Sequence, residues 1–520
     1  MISLVLKGLV KCKMSDFDAR SLVETYNLGE SKVPVKFRNL VEDFVVDSSQ
    51  LAELSFRYWK SQKSGQETKL PNITELMNKA LRFHTEAGTL TKAVADNCRL
   101  LKSNMPLLRI AHQPNVFPYL AVIVQFFLLR SASVIMSQRY GISPIELYLI
   151  VDYDTAGDSR FRTAHYPDVN RKTGVADISA GIPSKSFNKP MFALAKPDRD
   201  TVDSWLRTIR SIIRQETIMI RRSNFRFRSR DTIENNFAQL ESMIWDAHSR
   251  AKCLTDFNAF FLSQLVNKAW GFPTLFIRES EIRTHPHSVL TEKFISDLKH
   301  AEFQASSEIS QSGVDLKYKI HPQRFPMWYF CDACLERLPL TFADKRPNTI
   351  ATKCPVCKSE YAYDLRDLRS KKNGCFAPSV ILEDLLDIID LSVAGGSLHV
   401  GGAEHVILSN CVAKHIHLPV FPQCVWRPRT VGFGTSELLS ISFMNDANLR
   451  DAPRLERILS DVSKGRITIL YYLANSGVQL FKDSWMRFLG THKLTDKHVD
   501  VELCPLRSTE PIMEQLVQKP

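Results

Sequence analysis

Apolar positions recur at helical spacing through the first hundred residues and then give way to short, continuous apolar runs. Leu51–Lys60 and Ile73–Leu101 read as helices, the second carrying Leu76, Ala80, Leu90 and Val94 on one stripe. From Leu107 the period changes. Leu107–Ala111 is a buried-strand pattern that runs into the polar turn His112-Gln113-Pro114-Asn115. The apolar stretch Val116–Leu129 follows; it falls short of the ~20 residues that span a bilayer, so it predicts a buried helix. Ile145–Val151 is a second strand pattern, closed by Asp152-Tyr153-Asp154. Strand, polar turn, helix and strand make a βαβ unit, which implies a parallel sheet with ligands beyond the carboxyl ends of its strands.

Residues 170–200, rich in Pro, Ser, Lys and Asp, read as a loop. Thr201–Ile220 and Thr232–Phe261 have helical spacing, and Thr274–Ile277 after Gly271-Phe272-Pro273 is a strand pattern. Ala377–Leu391 predicts a helix. Ser397–Val400 predicts a strand entering Gly401-Gly402, with Ala403-Glu404-His405 opening another helix. From about 436 the pattern is mostly helical, with a frayed tail over 505–520. The expected organisation is α/β: a helical region over 1–104, a parallel-sheet core over 105–324 and 364–435, an inserted ribbon over 325–363, and a helical region over 436–520.

At 520 residues the chain is long enough for several domains, and 44% hydrophobic with 24% charged content is that of a globular protein. The net charge of +12 favours anionic partners (nucleotides, sugar phosphates or RNA) without selecting among them. No basic leader precedes the short apolar run at Ile2–Leu6, so a soluble, cytoplasmic protein with no membrane segment is expected.

Cys331, Cys334, Cys354 and Cys357 form a C-x2-C-x19-C-x2-C pattern, with Pro355 suited to a tight turn inside the second pair. Two thiolate pairs at that spacing match a tetrahedral, structural zinc site, since four sulfurs leave no open coordination position. The other seven cysteines are scattered and odd in number, which argues for a reducing compartment over a disulfide framework.

Five further groups carry candidate chemistry. His112, Gln113 and Asn115 stand at a strand-to-helix turn, where backbone amides favour an anion and an imidazole can stabilise developing charge; the bland alternative is that His112 caps the helix. Asp152 and Asp154 fall on one side of an extended backbone and suit Mg2+ or a substrate ammonium, or else serve as loop acids. Glu404 stands at a helix start, as a ligand-facing acid or as a capping partner. His399, His405, His415 and His417 could build a second metal site with Asp152, although no His-x-x-x-His or His-Glu pair stands at a fixed ligand spacing. Arg221–Arg230 interleaves arginine with Phe225 and Phe227, as RNA-binding segments do and as solvated faces between helices also do.

The order of these segments resembles the bacillithiol-biosynthesis cysteine-adding enzyme family, the BshC type, over roughly 100–165 and 375–430 and more weakly over 255–280. The family's Gly-Gln-Gln-x-Gly loop is matched by Ala111–Asn115, and its Glu-Asp-His-Asp by Val151–Asp154, with Tyr153 in place of the histidine. Its Gly-Pro-Gly-Glu is matched by Gly401-Gly402-Ala403-Glu404, and the arginine after its Met-Pro-Pro-Val segment by Arg427 or Arg429. The resemblance implies a Rossmann-like, nucleotidyltransferase-like core and a ligase that joins cysteine, or a similar amino acid, to an amine. Under that reading His112, Asp152, Asp154 and Glu404 are catalytic, and Gln113, Asn115, Gly401, Gly402, Arg427 and Arg429 bind the cofactor or substrate. ATP and Mg2+ join Zn2+ as implied cofactors, and the ribbon serves as a recognition or homodimer surface. The alternative is a zinc-ribbon, RNA-associated protein or a non-catalytic homologue.

Overall fold

The computed structural model describes residues 17–18, 37–41, 44, 48–63, 73–101, 105–118, 120–157, 161–167, 175–222, 230–283, 288–316, 320–343, 346–368, 375–390, 394–400, 403–420, 423–426, 430–434, 468–472 and 501–503. Three helices come first: α1 (Ser48–Lys63), α2 (Ile73–Glu86) and α3 (Lys92–Leu100). The continuous helix expected over Ile73–Leu101 is broken. Gly88 takes φ +67°, a left-handed value that ends α2, and the Thr91 hydroxyl then accepts from the Val94 N–H to cap α3.

The core sheet is wholly parallel. Its strands are β1 (Leu107–His112), β2 (Ile145–Ile150), β5 (Leu275–Arg278), β11 (Ala394–Val400) and β12 (Gln423–Trp426). In space they run β12-β11-β1-β2-β5, so the order reverses between the first strand and the fourth. Side chains alternate across the sheet into two apolar layers. Leu147, Leu149, Leu275 and Ile277 face one; Leu108, Ile110, Tyr148, Ile150 and Phe276 face the other.

The helices that cover these layers follow the connections. Between β1 and β2 lies α4 (Leu120–Tyr140), and between β2 and β5 lie α5 (Arg199–Arg222), α6 (Arg230–Arg250) and α7 (Leu254–Ser263). All four pack on the face of Tyr148 and Phe276. The opposite face takes α8 (Glu292–Gln311), α9 (Val380–Asp390) and α10 (Ala403–His415), together with the ribbon. A sheet buried on both sides explains why its strands read as unbroken apolar runs. At its edge, the buried His84 of α2 accepts the Phe276 N–H at 3.1 Å and bonds Thr89 at 2.8 Å.

The ribbon is an antiparallel sheet of β6 (Arg324–Phe330), β7 (Arg337–Ala343), β8 (Arg346–Lys353) and β9 (Glu360–Asp364), extended by β10 (Cys375–Pro378) beside β6. It lies between the third and fourth strands of the parallel sheet. Val151 and Tyr153 pack on Phe330 and Ala377, so the ribbon rests against the carboxyl edge of that sheet.

Several sequence expectations shift. The Thr232–Phe261 helix breaks after Arg250, where Cys253 caps α7, and the chain continues past Ser263 in a π-helical turn over Gln264–Ala269. The 170–200 loop contains β4 (Val175–Ser179), paired antiparallel with β3 (Thr163–Pro167). The helix expected from Ala377 starts at Val380, because Ala377 and Pro378 belong to β10. Of the C-terminal region expected to be helical, the described residues are strands: Thr468–Tyr472, which pairs in parallel with Thr430–Gly434 on one side, and Val501–Leu503, which pairs in parallel with Thr468–Tyr472 on the other.

Candidate functional site

The four cysteines meet at the tips of two matching turns. In the first, the Leu335 N–H donates to the Cys331 carbonyl at 2.8 Å and the Cys331 N–H to the Glu336 carbonyl at 2.9 Å. In the second, the Lys358 N–H donates to the Cys354 carbonyl at 3.1 Å and the Cys354 N–H to the Ser359 carbonyl at 2.9 Å. Leu335 and Lys358 both take left-handed φ, 59° and 64°, at the position where each turn doubles back. The turns place all four sulfurs within 4.8 Å of one another, with Cys331 to Cys357 at 3.3 Å and Cys334 to Cys354 at 3.5 Å. A tetrahedral ion with ~2.3 Å Zn–S bonds sets its sulfurs about 3.8 Å apart. All four are free thiols, and these separations far exceed the ~2.05 Å of a disulfide.

The surroundings fit a metal as well. The Asp332 N–H donates to the Tyr361 phenol oxygen at 3.2 Å, which leaves the phenol proton for Cys331 Sγ, also at 3.2 Å. Ser359 Oγ lies 3.2 Å from Cys357 Sγ. Hydroxyl protons aimed at sulfur stabilise thiolates and hold them in place. The cluster could hold a metal ion such as zinc.

The second site is the carboxyl edge of the parallel sheet. His112 ends β1 and is buried, and its Nδ1 lies 2.8 Å from the Gln113 carbonyl. A carbonyl only accepts, so the proton sits on Nδ1. Tyr148 Oη and the Val151 N–H both donate to the His112 carbonyl, and Asn258 Nδ2 donates to the Pro114 carbonyl at 2.9 Å. The turn is thus held from strand β2 and from helix α7. Asn115 is buried beside it.

Asp152 and Asp154 part company. The chain bends after β2, so the extended geometry expected of Val151–Asp154 does not form. Asp152 is wholly buried, and its two oxygens accept from the Ser280 N–H at 2.8 Å and the Ser280 hydroxyl at 2.6 Å. Burial pushes its carboxyl up to about 6, against the opposing pull of those Ser280 bonds. Asp154 stays partly exposed. It accepts from Gln113 Nε2 at 2.6 Å and from Arg337 Nη1 at 3.3 Å. Of the two acids, Asp154 is therefore the one placed to meet a ligand.

The residue between them belongs to a cluster with no sequence signature. The Tyr153 hydroxyl lies 2.7 Å from Glu279 Oε2, just past β5, and also contacts Glu383 in the first turn of α9. One phenolic proton cannot serve two carboxylates, so one of the carboxyls carries a proton of its own. Burial pushes Glu279 up to about 8, aided by the charge of Asp387, and raises Glu383, aided by Glu279. Asp387 lies between Arg109 and Arg283, and Arg283 also reaches Asp390. These four acids and two arginines come from separated segments and meet only because α9 packs across the sheet.

The remaining candidates are placed less fully. Glu404 lies in the first turn of α10. Gly401, Gly402, Arg427 and Arg429 lie outside the described residues, as does most of Arg221–Arg230, of which Arg221 and Arg222 end α5 and Arg230 begins α6. His415 pairs with Glu308 at 3.1 Å, and the described groups able to hold a metal include the four cysteines but no histidine. Among the described residues no helix is long and apolar enough to cross a membrane. No family model matches the chain, and no curated protein matches it.

Proposed function

We propose that the chain is a ligase of the kind the sequence resemblance implies, forming an amide between an amino acid and an amine at the carboxyl edge of a Rossmann-like sheet. The strand order β12-β11-β1-β2-β5 carries this reading. In open parallel sheets, ligands bind where the order reverses, beyond the strand ends. Here the reversal lies between β1, which ends at His112, and β11, which ends at Val400 and leads into α10 at Ala403. The end of β1 at His112 and the start of α10 at Ala403 therefore flank one crevice position.

In this reading the His112–Asn115 turn and the start of α10 hold the anionic part of the substrate, a nucleotide or activated acyl group. Asp154 takes the ammonium of the amine and serves as the base that frees it for attack. Asp152 supports the site by fixing Ser280. ATP and Mg2+ are the cofactors this chemistry would use, and zinc is the metal assigned to the cysteine cluster.

Isothermal calorimetry with ATP, AMP and cysteine tests the proposal on the full chain and on Asp154→Ala. Binding of at least one of these ligands by the wild type, weakened in the variant, is the expected result. Wild-type protein that binds none of the three overturns it.

A further inference from the structure

The metal-binding turn and the carboxyl edge are joined by one short run of chain. Glu336 closes the first cysteine turn by accepting the Cys331 N–H, and Arg337 is the next residue. The Arg337 N–H donates to the Asn188 carbonyl at 3.1 Å, while Asn188 Nδ2 donates to Glu336 Oε1 at 2.7 Å. The backbone at Arg337 is thus clamped between the cysteine turn and the 188 loop. Its guanidinium lies over the Trp328 ring, 4.5 Å from the centroid, which keeps the planar fork from swinging freely. From there Arg337 Nη1 reaches Asp154, whose other oxygen takes the Gln113 amide.

We propose that Arg337 is the oxyanion-contacting residue of the carboxyl-edge site, held in position by the metal at the cysteines, so that metal loading and anion binding are linked. This rests on reading the carboxyl edge as the substrate site. The pair with Asp154 is a single contact at 3.3 Å, with both side chains more than a quarter exposed. An exposed one-point pair of that kind contributes little. Among the described residues, Nε and Nη2 of Arg337 make no hydrogen bond, so the fork has two donors ready for a phosphate or carboxylate. An incoming oxyanion takes the fork, and Asp154 keeps Gln113. Linkage is reciprocal: a metal that favours the anion-binding position of Arg337 is itself held more tightly when the anion is bound.

The experiment is calorimetry of ATP and, separately, of cysteine into the metal-loaded full chain, the metal-stripped chain, Arg337→Ala and Arg337→Lys. The two titrants separate a phosphate from a carboxylate ligand. Arg337→Ala is expected to weaken binding by about tenfold or more, Arg337→Lys to recover part of it, and the stripped chain to resemble Arg337→Ala. A second readout follows metal loss to a competing chelator. The bound titrant should slow that loss in the wild type and leave it unchanged in Arg337→Ala, whatever the stripped chain's own stability. Wild-type affinity in Arg337→Ala, or metal loss indifferent to the titrant, overturns the linkage while leaving the ligase reading in place. A wild-type chain that binds neither titrant overturns the linkage, and one that does not bind AMP either overturns both.

Discussion

The side-chain amide of Gln113 meets the carboxylate of Asp154 at 2.6 Å across 41 residues of sequence. One stands just beyond the end of β1 and the other just beyond the end of β2, so the bond ties together the polar turns of two adjacent parallel strands. Asp152, two residues earlier, spends both oxygens on Ser280. A doublet that looks equivalent in sequence is split into a structural acid and an accessible one.

That split is measurable. Asp152→Ala removes the buried carboxylate that accepts from the half-buried Ser280 N–H and hydroxyl, and should cost about 1–3 kcal/mol, seen as a lower urea midpoint. Asp154→Ala removes a partly exposed carboxylate and should cost under about 1 kcal/mol while weakening ligand binding. Equal destabilisation by the two substitutions would contradict the assignment.

The cysteine cluster should bind one metal ion per chain, with zinc found by elemental analysis of the purified protein. Cys331→Ser and Cys354→Ser remove buried ligands and should lose the metal and lower the melting temperature, and a strong chelator should reproduce the shift. Unchanged melting after complete metal removal would show that the ribbon holds itself together by packing alone.

Lys358→Gly tests the turn geometry. Lys358 has φ 64°, and a left-handed conformation costs a residue with a Cβ roughly 1–2 kcal/mol. Glycine accepts it but adds freedom to the unfolded chain, which offsets about 0.5–1 kcal/mol. The expected net effect is a gain of a few tenths to about 1 kcal/mol, read from urea midpoints of the metal-loaded protein.

The Tyr153–Glu279–Glu383 cluster should mark the pH dependence of stability. Glu279 is raised in the folded protein from 4.5 to about 8. Between those values the folded chain keeps a proton that the unfolded chain releases, so this group's contribution is lost as pH rises through the window. Glu279→Gln should flatten that part of a melting-temperature profile. A profile identical to wild type would mean that the proton resides elsewhere.

Buried His84 works in the opposite direction. Burial lowers it from 6.5 to about 3. The unfolded chain therefore binds a proton that the folded chain refuses, and stability falls as pH drops from 6.5 towards 3. His84→Gln should remove that share of the acid-side loss, at some cost in stability at neutral pH.

Much of the scaffold was legible because its signals are local. Leu107–Ala111 and Ile145–Val151 are runs of apolar residues too short for helices and bounded by polar turns, which is how a doubly buried strand must read. The cysteine spacing announced its cluster, since two short-range pairs almost suffice to build a tetrahedron. Helix breaks were harder to see. Gly88 is one glycine in an otherwise helical pattern, and its left-handed turn is settled by what α2 and α3 must reach. Ala377 and Pro378 fit a helix start until β10 finds β6 beside it.

The chain alone determined the strands at β1 and β2, the polar turns that follow them, and the four thiols with their ligand spacing, because each is encoded within a few neighbouring residues. Tertiary structure decided the strand order, the separate fates of Asp152 and Asp154, the arrival of Arg337 from the ribbon, and the pairing of Tyr153 with Glu279 and Glu383. Those outcomes depend on which distant segments pack together. Burial and partner geometry, which set the charge state of a carboxyl and the reach of a guanidinium, exist only once they have.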